Sequence, residues 1–189
     1  MIDLPAGVVP SEMEVLAPDQ GGILRGASSL RIDRPGNRYK IGFTFPPSAK
    51  PKLARIVRAK RQGIRVYLPL KVPQGSPGSP VVDGADQSGT SLDVTGFTPG
   101  YFIKEDYWLT IVDADDNAFL HQVVETTTAD SSGDATISIE PPLREAFEDG
   151  DTIEFARPYI VGFIDGDDWG WNVPVNWLVS VGFVVEEYK

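Results

Sequence analysis

Arg38-Tyr39-Lys40-Ile41-Gly42-Phe43-Thr44-Phe45 decides the fold class. Tyr39, Ile41, Phe43 and Phe45 alternate with Lys40, Gly42 and Thr44. A period of two puts one set of side chains on a core face and the other toward solvent, which is a strand. Just upstream, Leu30 and Ile32 alternate with Ser29, Arg31 and Asp33, and Pro35-Gly36-Asn37 lies between the two runs. Proline presets φ, and Gly and Asn accept positive φ, so residues 28–34 and 38–45 are predicted to pair as a hairpin.

The same period recurs down the chain. Ile64, Val66, Leu68 and Leu70 alternate with Arg65, Tyr67 and Pro69, and the proline points to a sheet edge. Further strands are predicted at 91–95, 107–112, 119–126, around Ile137 and Ile139, around Ile153 and Phe155, at 159–164 and at 177–187. In the last, Trp177, Val179, Val181, Phe183 and Val185 fill one face, and Leu178 and Val184 add apolar groups to the other. Such a strand is expected to be covered on both sides. One helix is predicted, with Ser48 as N-cap and Pro51 in the first turn. Leu53, Ile56, Val57 and Lys60 form its stripe, and Gly63 ends it. The chain is therefore expected to be mainly β with one short helix.

Composition changes near residue 74. Gln74-Gly75-Ser76-Pro77-Gly78-Ser79-Pro80 has the make-up of a linker. Before it lie Lys50, Lys52, Arg55, Arg58, Lys60, Arg61 and Arg65, seven of the chain's 17 cations; from 75 to 157 there are only Lys104, Arg144 and Arg157. The expected organisation is a discontinuous domain of residues 1–73 and 158–189, carrying residues 74–157 as an inserted small β-barrel module. Without the insertion 105 residues remain, an ordinary domain size.

Few chemistries fit. With no cysteine, disulfides, thiolate zinc sites and thiol nucleophiles are excluded. The sequence holds no phosphate-binding glycine loop, no serine-hydrolase elbow and no zinc-protease helix motif. His121 is the only histidine and sits in a predicted strand, where a surface position or a hydrogen-bonded role outweighs general-base work. Asp113-Ala114-Asp115-Asp116-Asn117 and Asp165-Gly166-Asp167-Asp168 offer oxygens to calcium, but neither continues as a calcium loop, and both read as turns. Glu186 and Glu187 point to opposite faces of one strand and cannot act as a pair. No catalytic residue, metal ligand or cofactor site is expected. The net charge of −10 repels nucleic acid and anionic membranes, and no apolar run nears the ~20 residues that span a bilayer. The first ten residues lack a basic leader region, so the chain is expected to be cytosolic when made.

Two features offer candidate contacts between subunits beside plainer readings. The basic run Lys50, Lys52, Arg55, Arg58, Lys60 and Arg61 has no aromatic neighbours before Gly63, unlike single-strand nucleic-acid grooves. It reads as a solvated helix face or, on an otherwise acidic chain, as a surface that pairs with an acidic neighbouring copy. Trp169, Trp171 and Trp177 crowd one stretch, which suits an oligomer interface, where tryptophan is enriched, an ordinary core edge or a sugar-binding platform.

The middle segment carries a resemblance. Val82-Asp83-Gly84-Ala85-Asp86-Gln87-Ser88-Gly89-Thr90-Ser91-Leu92-Asp93-Val94 leads to Gly96-Phe97-Thr98-Pro99-Gly100. Ser132-Gly133-Asp134-Ala135-Thr136-Ile137-Ser138-Ile139-Glu140-Pro141-Pro142-Leu143-Arg144 follows, and Asp149-Gly150-Asp151 and Arg157-Pro158 close it. This order resembles a module of minor and distal tail proteins of long-tailed bacteriophages and gene transfer agents. Where those proteins carry a Gly-Asp pair before the next strand, this chain has Glu105-Asp106. The flanks agree: a strand, Pro46-Pro47 and a basic helix at the start, Asp168-Trp169-Gly170-Trp171 before the terminal strand at the end. The resemblance implies a tail-tube-like β-sandwich assembling as a six-membered ring in the virion tail tip. It would join the tail tube to the hub and fibre proteins, with DNA only as cargo passing the channel and no membrane insertion. The alternative is a carbohydrate-binding host-adhesion module using Trp169, Trp171 or Tyr101 as stacking platforms.

Overall fold

The computed structural model describes residues 1–4, 8–16, 22–25, 29–32, 37–47, 53–166, 170 and 180–188. In chain order the elements are β1 (Ile2–Asp3), β2 (Glu12–Leu16), β3 (Gly22–Arg25), β4 (Ser29–Ile32), β5 (Lys40–Phe45), α1 (Leu53–Gln62) and β6 (Ile64–Tyr67). Then come β7 (Gly78–Val82), β8 (Gln87–Phe97), β9 (Phe102–Ile103), β10 (Trp108–Val112), β11 (Ala118–Val123) and β12 (Thr127–Thr128). The last are β13 (Ala135–Phe147), β14 (Thr152–Glu154), β15 (Tyr159–Ile164) and β16 (Val181–Glu187). The chain is mainly β with one helix, as its alternation predicts.

Two bodies are built from these strands. A six-stranded sheet has the order β1-β6-β15-β16-β5-β2, drawn from both ends of the chain. A closed six-stranded barrel has the order β10-β11-β13-β8-β7-β14, drawn from the continuous stretch between them. Closure removes the barrel's open edges, whereas among the described residues the sheet keeps two, at β1 and β2.

The sheet's core face holds Ile41, Phe43 and Phe45 of β5 against Val181, Phe183 and Val185 of β16, with Phe43 opposite Phe183. The Phe45 and Phe183 rings stack with centroids 5.4 Å apart. Ile56 and Ala59 of α1 close over this face, and so do Trp108 and Leu120 from the barrel wall. The barrel core is separate, built from inward residues such as Leu92, Val94, Leu109, Ile111, Phe119, Ile137 and Ile139. β10 and β11 are buried on both faces because alternate residues serve the two bodies. Leu109 and Phe119 point into the barrel, while Trp108 and Leu120 join the sheet's core.

Several expectations need correcting. β4 and β5 are both strands but do not form a hairpin with each other. β4 pairs with β3, from Gly22 opposite Ile32 to Arg25 opposite Ser29. β5 lies between β16 and β2, so neither of its edges is free. The long-range partners bury the apolar face of β5, which a lone hairpin cannot do. Val57 is exposed; the stripe that packs down is Ile56 and Ala59, with Leu53 partly buried. Gly63 ends the helix as expected, with φ of 75° and its N–H donated to Ala59 O at 2.8 Å. β6 stops at Tyr67, two residues before Pro69. The linker-like stretch is not a free linker: Gly78–Val82 is a barrel strand, and Gln74 is buried. Ser48, Pro51, Trp177 and Val179 lie outside the described residues.

Candidate functional site

The expected interface residues divide into two groups. Arg55, Arg58, Lys60 and Arg61 sit on α1, whose ten residues include no acid. Arg55, Arg58 and Arg61 are exposed. Arg55 also reaches back, its Nη1 donating to Asp3 O at 3.1 Å. Lys50, Lys52, Trp169, Trp171 and Trp177 lie outside the described residues. The structure therefore places four of the nine residues on one helix, with Arg55, Arg58 and Arg61 exposed and Lys60 half-buried.

The best-built polar site is the junction between barrel and sheet, and it centres on Glu187. As expected, adjacent carboxylates of β16 diverge: Glu186 bonds Lys40 Nζ at 2.8 Å near the surface, while Glu187 is buried. Both Glu187 oxygens are fully used. Oε2 accepts from the Tyr39 N–H at 2.9 Å and from Arg144 Nη1 at 2.9 Å; Oε1 accepts from the Leu120 N–H at 2.7 Å and from Arg144 Nη2 at 3.1 Å. Tyr39 and Glu187 belong to the sheet side, Leu120 and Arg144 to the barrel, so one carboxylate joins the two bodies. Arg144 Nη1 also donates to Asn37 O at 3.0 Å, and its guanidinium carbon lies 5.3 Å from the Phe119 ring centre. A buried carboxylate is tolerable only with such complete pairing.

Tyr39 extends the network. Its hydroxyl donates to Glu140 O at 3.2 Å, and its ring meets Trp108 edge-on at 5.1 Å. Burial, and then the Glu187 charge, push its phenol well above the usual tyrosine range. His121, on β11, is wholly buried. Its Nδ1 donates to Pro141 O at 2.8 Å, which fixes the tautomer, and Nε2 is left without a partner. Burial first, and the nearby Arg144 charge second, pull its pKa down to about 3. His121 is thus held neutral, and of the expected surface and hydrogen-bonded positions it takes the hydrogen-bonded one, in the interior.

A second clamp lies beside the first. Gln74 Nε2 donates to Trp108 O at 2.8 Å and Phe155 O at 2.5 Å, and its Oε1 accepts from the Trp108 N–H at 2.7 Å. The Tyr101 hydroxyl donates to Gln74 O. Thr110 Oγ1 bonds both backbone groups of Tyr159, donating to its O at 2.8 Å and accepting from its N–H at 2.9 Å. Every one of these contacts crosses between segments far apart in sequence.

The acidic turns bind their own backbone. Asp113 Oδ1 accepts from the N–H groups of Asp115 and Asn117, and Oδ2 accepts from Asn117 Nδ2 at 2.7 Å. Asp165 Oδ1 accepts from the Gly166 N–H, and Oδ2 pairs with Lys40; Asp167 and Asp168 lie outside the described residues. Among the described residues no group of three or more metal-ligating side chains comes together. Tyr101 is no free platform: its ring stacks on Phe97 at 5.6 Å and meets Phe155 edge-on. No helix among the described residues is long and apolar enough to cross a membrane.

Sequence reasoning missed Glu187, Arg144 and Gln74. The only available signals were a glutamate ending an otherwise apolar strand and an arginine in a segment almost free of cations.

No protein-family model matches the chain, and no curated protein is significantly similar to it.

Proposed function

We propose that this protein is a non-enzymatic structural subunit of a bacteriophage tail, forming a ring at the distal end that joins the tail tube to the tail-tip hub and fibres. The observation that carries the reading is the joining of a six-stranded sheet, open at both edges, to a closed barrel through the buried Glu187–Arg144 pair. An open-edged sheet is suited to continue into neighbouring copies, while a closed barrel has no edge to join and is suited to project. A rigid joint between them lets a load on the barrel reach the ring without a hinge. The described polar groups fit the same reading, since His121, Glu187, Gln74 and Asp113 are all committed to structural bonds.

The basic face of α1 on a chain of net charge −10 gives neighbouring copies complementary surfaces. A carbohydrate-binding role is the weaker reading, because the described candidate platform, Tyr101, is held by Phe97, Phe155 and Gln74. The test is electron microscopy of the purified chain. Class averages with a closed six-membered ring and a central channel support the proposal. Single compact particles without symmetry, together with binding on a glycan array, favour the adhesion module instead.

A further inference from the structure

The two edges of the sheet differ in a way that names a partner. At one edge, β1 covers β6 only along Ile2–Asp3, opposite Ile64 and Arg65. Ile2 donates its N–H to Gly63 O at 3.0 Å, so Gly63, and by strand alternation Arg65 and Tyr67, turn their backbone groups outward. The inner side agrees: Tyr159, opposite Tyr67, turns both its N–H and C=O to Thr110 Oγ1. The Tyr67 N–H and C=O therefore face outward past the end of β1, beside a cleft of about 560 Å³.

This cleft is largely apolar, and its charged lining is Arg65, Arg157 and Asp3. Leu4, Val8 and Leu70 are among its lining residues, and Arg65 and Arg157 flank it. Arg157 lies 4.6 Å over the Tyr67 ring, Arg65 lies 4.7 Å over the Tyr159 ring, and the two tyrosines meet edge-on at 5.4 Å. Among the described residues Arg65 has only long ion pairs, 3.9 Å to Asp3 and 4.0 Å to Asp116, and its buried Nε has no hydrogen-bond partner. Arg157 has no carboxylate on its guanidinium among the described residues. Arginine and tyrosine in this setting are typical interface anchors.

At the opposite edge lies β2, Glu12-Met13-Glu14-Val15-Leu16. Val15 and Leu16 are 39% and 41% exposed there, and among the described residues no further strand pairs with β2 on that side. Pairing across the sheet puts Glu12, Glu14 and Leu16 on one face with Lys40, Glu186 and Phe163, and that is also the face of Arg65 and Tyr67. Four antiparallel steps separate β2 from β6, so the two strands run the same way.

The geometry points to the β2 edge of a second copy of this chain as the occupant of the β6 cleft, added as a parallel strand. This rests on the ring reading above and names its contact. A rotation that keeps strand direction and face carries Glu12 and Glu14 of one copy beside Arg65 and Arg157 of the next. The two-fold alternatives are disfavoured, because β2 against β2 sets glutamates opposite glutamates, and β6 against β6 sets Arg65 against itself. Like joined to unlike is the arrangement that closes into rings larger than dimers.

Two charge-reversed full-length chains test this, E12K/E14K and R65E/R157E, each checked for a cooperative melt. In a head-to-tail contact each variant alone meets like charge and loses the ring. Mixed in equal amounts, every contact again pairs opposite charges, and an alternating ring returns. Rings that persist in either variant alone, or a mixture of folded variants that stays dissociated, overturn this contact while leaving a ring through other surfaces intact. A wild-type chain that forms no ring overturns both this contact and the reading it rests on.

Discussion

Arg144 and Glu187 meet through two parallel hydrogen bonds, 2.9 and 3.1 Å, with neither side chain more than 5% exposed. Removing one partner strands the other charge in the interior. Glu187→Gln is expected to destabilise the protein by about 3 kcal/mol or more, and Arg144→Met by a similar amount. In a double-mutant cycle the two losses should not add, because the second substitution removes the stranded charge. Urea denaturation of the four proteins checks this. Additive losses would mean the pair does not act as a unit.

His121 gives the fold a pH dependence with a definite sign. Its pKa is about 3 in the folded protein and near 6.5 when unfolded. Between those values the unfolded chain binds the extra proton, so this contribution to stability is present above pH 6.5 and is lost as pH falls toward 3. The slope from this residue approaches about 1.4 kcal/mol per pH unit. His121→Asn retains a donor for Pro141 O but cannot take up a proton there. It should be less stable at pH 7 and show a shallower decline from pH 6.5 to 4. Denaturation midpoints measured over that range in both proteins decide the point, and equal slopes would show that His121 is not the source.

Gln74 is predicted to matter more than its place in a Gly/Pro/Ser-rich stretch implies. Gln74→Leu leaves the Trp108 N–H and the Trp108 and Phe155 carbonyls without their partner. A loss of about 2–3 kcal/mol is expected. Faster hydrogen exchange at the Trp108 amide should accompany it, with the barrel's Ile137 and Ile139 amides changing less. Unchanged exchange at Trp108 would show that the side chain is not the clamp.

Among the described glycines, Gly162 leaves the least room for a side chain. A Cβ there would sit 1.9 Å from Glu186 O. Gly162→Ala must part β15 from β16 and is expected to cost about 3 kcal/mol or more. Gly170, whose added Cβ would meet nothing within 4 Å, is the control, and Gly170→Ala should leave the melting temperature within a degree or two.

Much of the strand content is legible because alternation reports burial directly. Residues 38–45 gave β5, and 159–164 match β15 residue for residue. What the sequence hid was pairing. The turn signal at Pro35-Gly36-Asn37 is local, whereas the partners of β5 are set by burying Phe43 and Phe45 against Phe183, far along the chain. β13 was hidden differently. Pro141 and Pro142 read as a strand's end, yet the strand runs on to Phe147 through register shifts against β8. The Glu187 site was illegible because its donors, Tyr39, Leu120 and Arg144, are scattered, and two of them contribute only backbone N–H groups that no sequence pattern reveals.

The mass of the native assembly tests the central claim most directly. Light scattering of the full chain across a wide concentration range should give a discrete species of about six times 20.6 kDa. A particle that remains at 20.6 kDa at the highest concentration would contradict the ring, and with it the assignment to a tail.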